Sequence, residues 1–280
     1  MNFKRIQEIF LLVFIVIDIF LFTMTKSNKI QPTNTPVGNA DNTIIKEMKH
    51  DSISVGKLSN QRLDGYYLSA TQDNNLESQF SKLKNQDARI DSNTVVSTFR
   101  NIIKVDENDP HKTIDHLMKK NGFVLDGKYF LYNKHLSNKN KVVYDQMVVN
   151  STVLSSNARI TFNITKDHHL SGYTQRELNN IKILHEKSEL ISEEHAVIRL
   201  YQYNEIPNNS KVLWTKLAYT HLLHIGGEDV YIPTWMIATE SKTSHKKQIK
   251  RINAFNGASF KTEKVKIKNN SQNVESENNQ

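Results

Sequence analysis

The chain has 280 residues, which leaves about 250 for one large or two modest domains after its first hydrophobic segment. It contains no cysteine, and this excludes disulfide bonds, a thiolate nucleophile and a cysteine metal site. Its formal net charge of +8 is dispersed along the chain, which favours attraction to an anionic leaflet or wall polymer over a nucleic-acid interface.

The first hydrophobic stretch covers residues 9–25, and within residues 10–22 every residue except Asp18 is strongly apolar. At ~1.5 Å per residue, a helix of this length is about long enough to cross the hydrocarbon core of a bilayer. The basic N-terminus suits either a signal peptide or an anchor. The long apolar core and its poor cleavage site favour an uncleaved transmembrane helix at residues 7–26, with a cytoplasmic head at 1–6 and an extracytoplasmic body.

Asp18 lies close to the middle of this predicted transmembrane helix. An ionised carboxylate there costs about 2.5 to 3.5 kcal/mol on insertion scales, which the flanking apolar residues offset. Because ionisable groups within membranes usually mark a partner or a pathway, we predict that the Asp18 face binds another helix. The alternative is a protonated aspartate in lipid without a role. At helical spacing, the residues that share the face are Leu11, Phe14, Ile15, Leu21 and Phe22.

Residues 27–42 contain prolines and a glycine among threonines and asparagines, and they predict a linker. Residues 43–185 follow as a first α+β region. Its first predicted elements are a helix at 43–49, strands at 53–55 and 65–70, a helix at 74–83, and a strand at 94–103, for which a helix is the alternative. A helix that begins at Asp109-Pro110 follows, then strands at 123–125 and 128–132 joined by an Asp126-Gly127 hairpin turn, and strands at 142–149, 159–165 and 170–177.

Residues 186–264 predict a second α+β unit with a similar order of elements. Ser192 is the expected N-cap of its helix, and strands follow at 211–223, 230–237 and 248–255. Pro233 lies inside the second of these strands and predicts an edge position or a bulge there. The polar composition of residues 265–280 predicts a disordered tail.

The chain shows no phosphate-binding loop and no catalytic motif, so we expect neither an enzyme nor a cofactor. His221 and His224 have a spacing that suits a metal on a helix, but on the predicted strand their rings should point to opposite faces. Six strand aromatics are predicted to fill the core and the sheet faces, with an exposed subset as a possible docking surface; these are Tyr66, Tyr67, Tyr144, Tyr173, Trp214 and Trp235.

Several segments together resemble the YycI (WalI) family. They are the anchor KRIQEIFLLVFIVIDIFLF, the GYYLSA segment at 65–70, the strand pair from Tyr144-Asp-Gln to LSGYTQREL at 170–178, YIPTWM at 231–236 and NAFNG at 253–257. The resemblance is carried by the order and spacing of these segments from Met1 to about Gly257. The C-terminal helix and strands are also similar to a PepSY-type module.

This resemblance implies a single-pass membrane protein of Gram-positive bacteria with an extracytoplasmic α+β body. It implies action with a sister protein, YycH, on the sensor histidine kinase WalK (YycG), whose two-component system controls cell-wall metabolism. It implies contact through the membrane helices and no catalytic residues. The alternative is a membrane-tethered binding module for an anionic wall polymer or a small ligand.

Overall fold

The computed structural model describes residues 3–27, 37–72 and 75–260, which form two compact units, Met1–Ile44 and Ile45–Gln280. The predicted tail at 265–280 lies outside the described residues. The helices are α1 (Phe3–Ser27), α2 (Val37–His50), α3 (Pro110–Met118) and α4 (Glu193–Gln202), with short 3-10 helices at Asn75–Lys82 and Gly127–Tyr129. The strands are β1 (Asp64–Gly65), β2 (Leu68–Thr71), β3 (Gln86–Asp91), β4 (Thr94–Lys104), β5 (Phe130–Tyr132), β6 (Lys141–Val148), β7 (Ser151–Thr152), β8 (Arg159–Ile164), β9 (His169–Arg176), β10 (Asn179–Ile183), β11 (Ser188–Glu189), β12 (Ser210–Ile225), β13 (Glu228–Ser241) and β14 (Lys247–Asn253).

Helix α1 contains the hydrophobic stretch, and its side chains at residues 9–22 are all exposed. Within the described ranges, no helix reaches the combination of length and apolar character needed to cross a membrane.

The linker prediction was wrong at its end, because α2 begins at Val37. A glycine in a helix costs only about 1 kcal/mol, so Gly38 weakens the helix without preventing it. At the other end of α2, Met48 is fully buried in the second unit. Residues 28–36 of the predicted linker lie outside the described part of the chain.

The larger sheet has the strand order β3-β4-β9-β8-β6-β5, with β7 paired to β6, and its named pairs are antiparallel. Alternation directs Ile160, Phe162 and Ile164 of β8 into the core. Ile114 and Met118 of α3 join the same apolar cluster. The predicted strands at 94–103, 142–149, 159–165 and 170–177 are therefore confirmed as the centre of this sheet.

The smaller sheet is built around β13, with the order β10-β2-β13-β12 and β14 paired to β13. Helix α4 packs against β13 and β14, and Ser192 caps it by accepting a 3.1 Å hydrogen bond from the backbone N–H of His195, as predicted. Strands β2 and β10 come from the predicted first region and pair in this sheet. The sheet therefore crosses the predicted boundary between residues 185 and 186, because pairing joins segments that are distant in the sequence.

Three local predictions were wrong or incomplete. Asp126 and Gly127 begin a 3-10 turn that runs to Tyr129, and residues 123–125 are not a strand, so the predicted hairpin is absent and β5 begins only at Phe130. Residues 53–55 contribute a single parallel bridge from Ser54 to Lys211 instead of a strand. The predicted helix at 74–83 is a 3-10 helix at Asn75–Lys82.

Pro233 occupies the central strand β13, and its register with β12 is continuous there, so neither the predicted edge position nor the predicted bulge is found. It faces Tyr219 of β12, and on its other side it lies between the end of the β2 pairing at Tyr231 and the start of the β14 pairing at Thr234. Proline is usually excluded from a central strand because it has no N–H to donate to a neighbouring strand. At Pro233 the missing N–H falls where the neighbouring strand changes from β2 to β14, so this loss is tolerated.

Candidate functional site

Helix α1 carries the six residues of the sequence-predicted partner site. A rotation of ~100° per residue places five of them within about 60° of Asp18 around the helix axis. All six side chains are exposed; these are Leu11, Phe14, Ile15, Asp18, Leu21 and Phe22. Phe14 also packs against Phe10, with ring centroids 5.6 Å apart. This face differs from the other apolar faces of α1 at residues 9–22 because it carries Asp18, and its role in partner binding stays a prediction.

The two histidines of β12 do not point to opposite faces, contrary to the sequence prediction. A register shift between His221 and Leu223 reverses the alternation of the strand. Both rings consequently approach the Asp229 carboxylate, at 3.3 Å for His221 Nε2 and 2.8 Å for His224 Nδ1. Across the described residues, no group of three or more potential ligands has a geometry that could hold a metal ion.

The β12–β13 hairpin tip exposes several large apolar side chains. Leu222, Leu223 and Ile225 are 38%, 43% and 65% exposed, and Ile183 of β10 is 54% exposed. Lys182 joins β10 to this tip through a 2.7 Å ion pair with Glu228. This end of the smaller sheet is a surface where apolar side chains and ion pairs lie together.

A cleft of about 170 Å³ lies where the larger and smaller sheets meet. We call it the cationic cleft; the lining residues that define it are Asn133, His135, Arg159, Trp214, Lys216 and Arg251. The first three belong to the larger sheet and its β5–β6 loop, and the other three lie on β12 and β14 of the smaller sheet. Neither sheet forms the cleft alone.

Asp145 of β6 anchors the wall that the larger sheet contributes. Its side chain is completely buried and accepts a 2.8 Å hydrogen bond from Nε of Arg159. The other carboxylate oxygen accepts a hydrogen bond from Nδ2 of Asn133, whose own Oδ1 accepts from the backbone N–H groups of His135 and Leu136. One buried carboxylate therefore orients Arg159 and, through Asn133, the turn that carries His135.

The wall from the smaller sheet contains Trp214 and Lys216. The Trp214 indole stacks on the His135 ring with centroids 3.9 Å apart and planes inclined by 24°. Burial lowers the pKa of Lys216, an effect that Asp145 opposes and Arg159 reinforces. Partial burial, with the positive charges of Lys216 and Lys134, lowers the pKa of His135, although much of this residue stays exposed at the mouth.

Sequence reasoning did not find this cleft. Trp214 was assigned to a sheet face together with the other aromatics, and Tyr144, Tyr173 and Trp235 are indeed buried. A usable signal was the presence of Asp145 and Lys216 inside apolar strand segments, VVYDQMVV and KVLWTKLAY. A charged residue in such a segment needs a partner or a function.

The family model described as YycI protein matches residues 33–255. No curated protein matches the chain at a significant level. An uncharacterized protein from Eubacterium rectale ATCC 33656 aligns with a TM-score of 0.43 and 10% identity, covering 76% of this chain and 92% of that chain. The Bacillus megaterium YpeB C-terminal domain aligns with a TM-score of 0.38 and 12% identity, covering 80% of this chain and 96% of that chain. The family match covers most of the length of the chain, so this chain belongs to the YycI family.

Proposed function

We propose that this chain is a non-catalytic, membrane-anchored regulator that acts with a YycH-type partner on the WalK (YycG) sensor histidine kinase. The observation that carries this proposal is the family match over residues 33–255. The YycI family is a regulatory accessory family and not a known enzyme family, and membership supports a role in the WalK two-component system. The partner, the topology and the mode of contact are our own inference.

The proposed anchor is α1. No described helix meets the length and apolar character of a full span, so this proposal rests on the apolar residues 9–22 and on the family match. In the proposal α1 inserts in the bilayer and leaves the body outside the cytoplasm. Its side chains at residues 9–22 are exposed on every side of the helix, and all but Asp18 are apolar. A helix that is apolar all round needs an apolar environment, which lipid supplies. The dispersed charge of +8 would also favour a position beside anionic lipid or wall polymer.

The topology can be tested directly because the chain contains no cysteine. Single cysteines at Asn2 (Asn2→Cys) and at the exposed Lys166 in the β8–β9 turn (Lys166→Cys) report the two sides of the membrane. A membrane-impermeant maleimide should label Lys166→Cys in intact cells and Asn2→Cys only after lysis. Labelling of Asn2→Cys alone in intact cells would reverse the topology, and recovery of the chain in the soluble fraction would contradict the anchor.

Partner binding is tested by purification of the full-length chain from membranes, with bound proteins identified by mass spectrometry. Wild type should recover the kinase and the sister protein. Asp18→Asn keeps the size of the side chain and removes its charge, and it should recover less kinase at an equal level of the chain. Equal recovery would exclude the role of the Asp18 carboxylate, and absence of the kinase from both samples would contradict the regulator.

A matched pair of substitutions distinguishes the predicted face from general effects on the helix. Leu11 lies about 20° from Asp18 around the helix axis, whereas Leu12 lies about 120° away. Leu11→Trp should therefore change WalR-dependent transcription and Leu12→Trp should not, although the two changes are chemically identical and lie at adjacent depths. An equal effect of both variants would argue against a face-specific contact.

A further inference from the structure

We propose that the cationic cleft binds a small anionic ligand, a carboxylate or phosphate monoester whose remaining part is a flat or apolar group about the size of one ring. This site is separate from the proposed helix contact, because its lining residues all lie in the unit Ile45–Gln280. It goes beyond the regulatory role by giving the body a ligand of its own.

Strand register places two cationic residues on either side of Met236 in the cleft. Lys216 of β12 pairs with Met236 of β13, and Met236 pairs with Arg251 of β14. Direct register partners project from the same face with Cβ atoms about 5 Å apart, so the Cβ atoms of Lys216 and Arg251 lie about 10 Å apart with Met236 between them. Because Met236 also lines the cleft, the base between the cations is apolar.

The charges around the cleft are not balanced by its lining. No aspartate or glutamate lines it among the residues that the structure describes. Arg159 has its counterion in Asp145 below the wall. The Lys216 side chain, in contrast, makes no hydrogen bond or ion pair with any described residue, and this residue is half-buried.

Asp145 attracts the Lys216 ammonium without forming an ion pair with it, and Arg159 repels it. A partly buried ammonium without an ion-pair partner lowers stability, and such groups occur at sites that receive a charge from outside. The lowered pKa of Lys216 has burial as its main cause. An anion that accepts a hydrogen bond from Nζ would reverse this effect and favour the protonated lysine. The positive charges of Lys216 and Lys134 that disfavour protonation of His135 would be offset in the same way.

Size and shape restrict the rest of the ligand. The volume of about 170 Å³ is close to the ~150 Å³ of an apolar protein cavity that accepts benzene. The stacked pair of His135 and Trp214 supplies a flat wall, which suits a planar or apolar group. A free inorganic phosphate would leave this wall without a contact.

The test is calorimetric titration of the full-length chain in mild detergent with phenyl phosphate, benzoate, inorganic phosphate and benzyl alcohol. We expect phenyl phosphate or benzoate to bind more tightly than inorganic phosphate, and benzyl alcohol not to bind, because it lacks the charge. No binding of either ring-bearing anion at 10 mM or below, on the order of the weakest useful affinity, would overturn the proposal. Equal binding of benzyl alcohol would overturn the need for charge.

Lys216→Met keeps the apolar stem of the side chain and removes its charge, and it should weaken anion binding by about tenfold or more. Lys211→Met is the matched control, since Lys211 lies on the same strand, is exposed and does not line the cleft. Equal losses in both variants, or none in Lys216→Met, would overturn the assignment.

The two tryptophans of the chain locate the bound ring independently of affinity. Trp214 lines the cleft, whereas the Trp235 indole donates a 2.9 Å hydrogen bond to the carbonyl oxygen of Ile191 and does not line it. In a ¹⁵N spectrum, phenyl phosphate should shift the indole N–H signal of Trp214 and leave that of Trp235 in place. A shift of Trp235 alone would place the ligand elsewhere and overturn the proposal.

Discussion

Nε of Arg159 donates a 2.8 Å hydrogen bond to Oδ1 of Asp145, whose side chain is fully buried while that of Arg159 keeps 19% exposure. The pair joins β6 to β8, and Asn133 extends it into the β5–β6 loop. A buried charge whose partner is removed is strongly destabilising, so this pair is sensitive to loss of one member.

Asp145→Asn should lower the free energy of unfolding by about 3 kcal/mol, because it leaves the largely buried guanidinium of Arg159 without a counterion. Urea unfolding of the full-length chain in detergent measures this change. The control is Asp87→Asn, which breaks the ion pair of Asp87 with Arg100, whose side chains are 68% and 62% exposed. Its cost should be far smaller than that of Asp145→Asn, because water screens an exposed ion pair. Similar losses in the two variants would show that the Asp145 pair gains nothing from burial.

Gly172 of β9 is the second sensitive position. A Cβ at this residue would lie 2.1 Å from the carbonyl oxygen of Ser97 on β4, a backbone atom that cannot move away without disturbing the sheet. Gly172→Ala should therefore cost about 2 kcal/mol or more in the free energy of unfolding. Gly56→Ala adds the same methyl group where no heavy atom lies within 4 Å, and it should change stability by less than about 0.5 kcal/mol. A tolerated Gly172→Ala would mean that β4 and β9 are more loosely paired than the structure shows.

The N-cap of α4 gives a third prediction. Ser192 accepts a 3.1 Å hydrogen bond from the backbone N–H of His195 and is itself buried. Ser192→Ala should reduce the free energy of unfolding by about 1 kcal/mol, because the first turn loses a side-chain acceptor. Ser81→Ala, at an exposed serine, is the control in the same chemical unfolding experiment and should have no measurable effect. The prediction fails if both alanine variants unfold at the wild-type midpoint.

Local patterns predicted the elements that depend on local chemistry. Asp109-Pro110 marked the start of α3, Ser192 marked that of α4, and alternation marked the central strands β6, β8 and β9. The larger sheet and the α+β class followed from these signals. The likeness of the α4 unit to a PepSY module stays a prediction.

Long-range pairing could not be predicted from the same signals. Nothing in the β2 or β10 segments indicates that β2 pairs with β13 and β10 with β2, since a strand pattern gives a buried face but no partner. The prediction that the His221 and His224 rings point to opposite faces failed because one bulge reverses the alternation of side chains along β12. The cationic cleft could not be predicted because it also depends on long-range packing, since it takes Asn133 from the β5–β6 loop of the larger sheet and Arg251 from β14 of the smaller sheet.

The last prediction concerns Lys216 itself. A protein that holds a partly buried cation to receive an anion should be less stable without the anion than a variant that lacks the cation. Burial is the first cause of its lowered pKa, so the protonated form is disfavoured in the folded chain relative to the unfolded chain. The pKa of a lysine in the unfolded chain is about 10.4. At pH values between the lowered pKa of Lys216 in the folded chain and about 10.4, the unfolded chain binds more protons than the folded chain, so this group makes stability rise with pH. At pH values below the pKa of Lys216 in the folded chain, the buried lysine is protonated, and the free energy of unfolding carries the full cost of burying its charge.

Lys216→Met should therefore raise the free energy of unfolding at pH 7 by about 1 kcal/mol, while Lys211→Met should leave it unchanged. The advantage of Lys216→Met over wild type should shrink as the pH rises towards 10, since wild type then loses the buried charge. Urea unfolding at pH 7, 8.5 and 9.5 measures the difference. A Lys216→Met variant less stable than wild type at pH 7 would mean that the lysine has a favourable structural role, and an advantage that grows with pH would contradict the sign of the pKa shift.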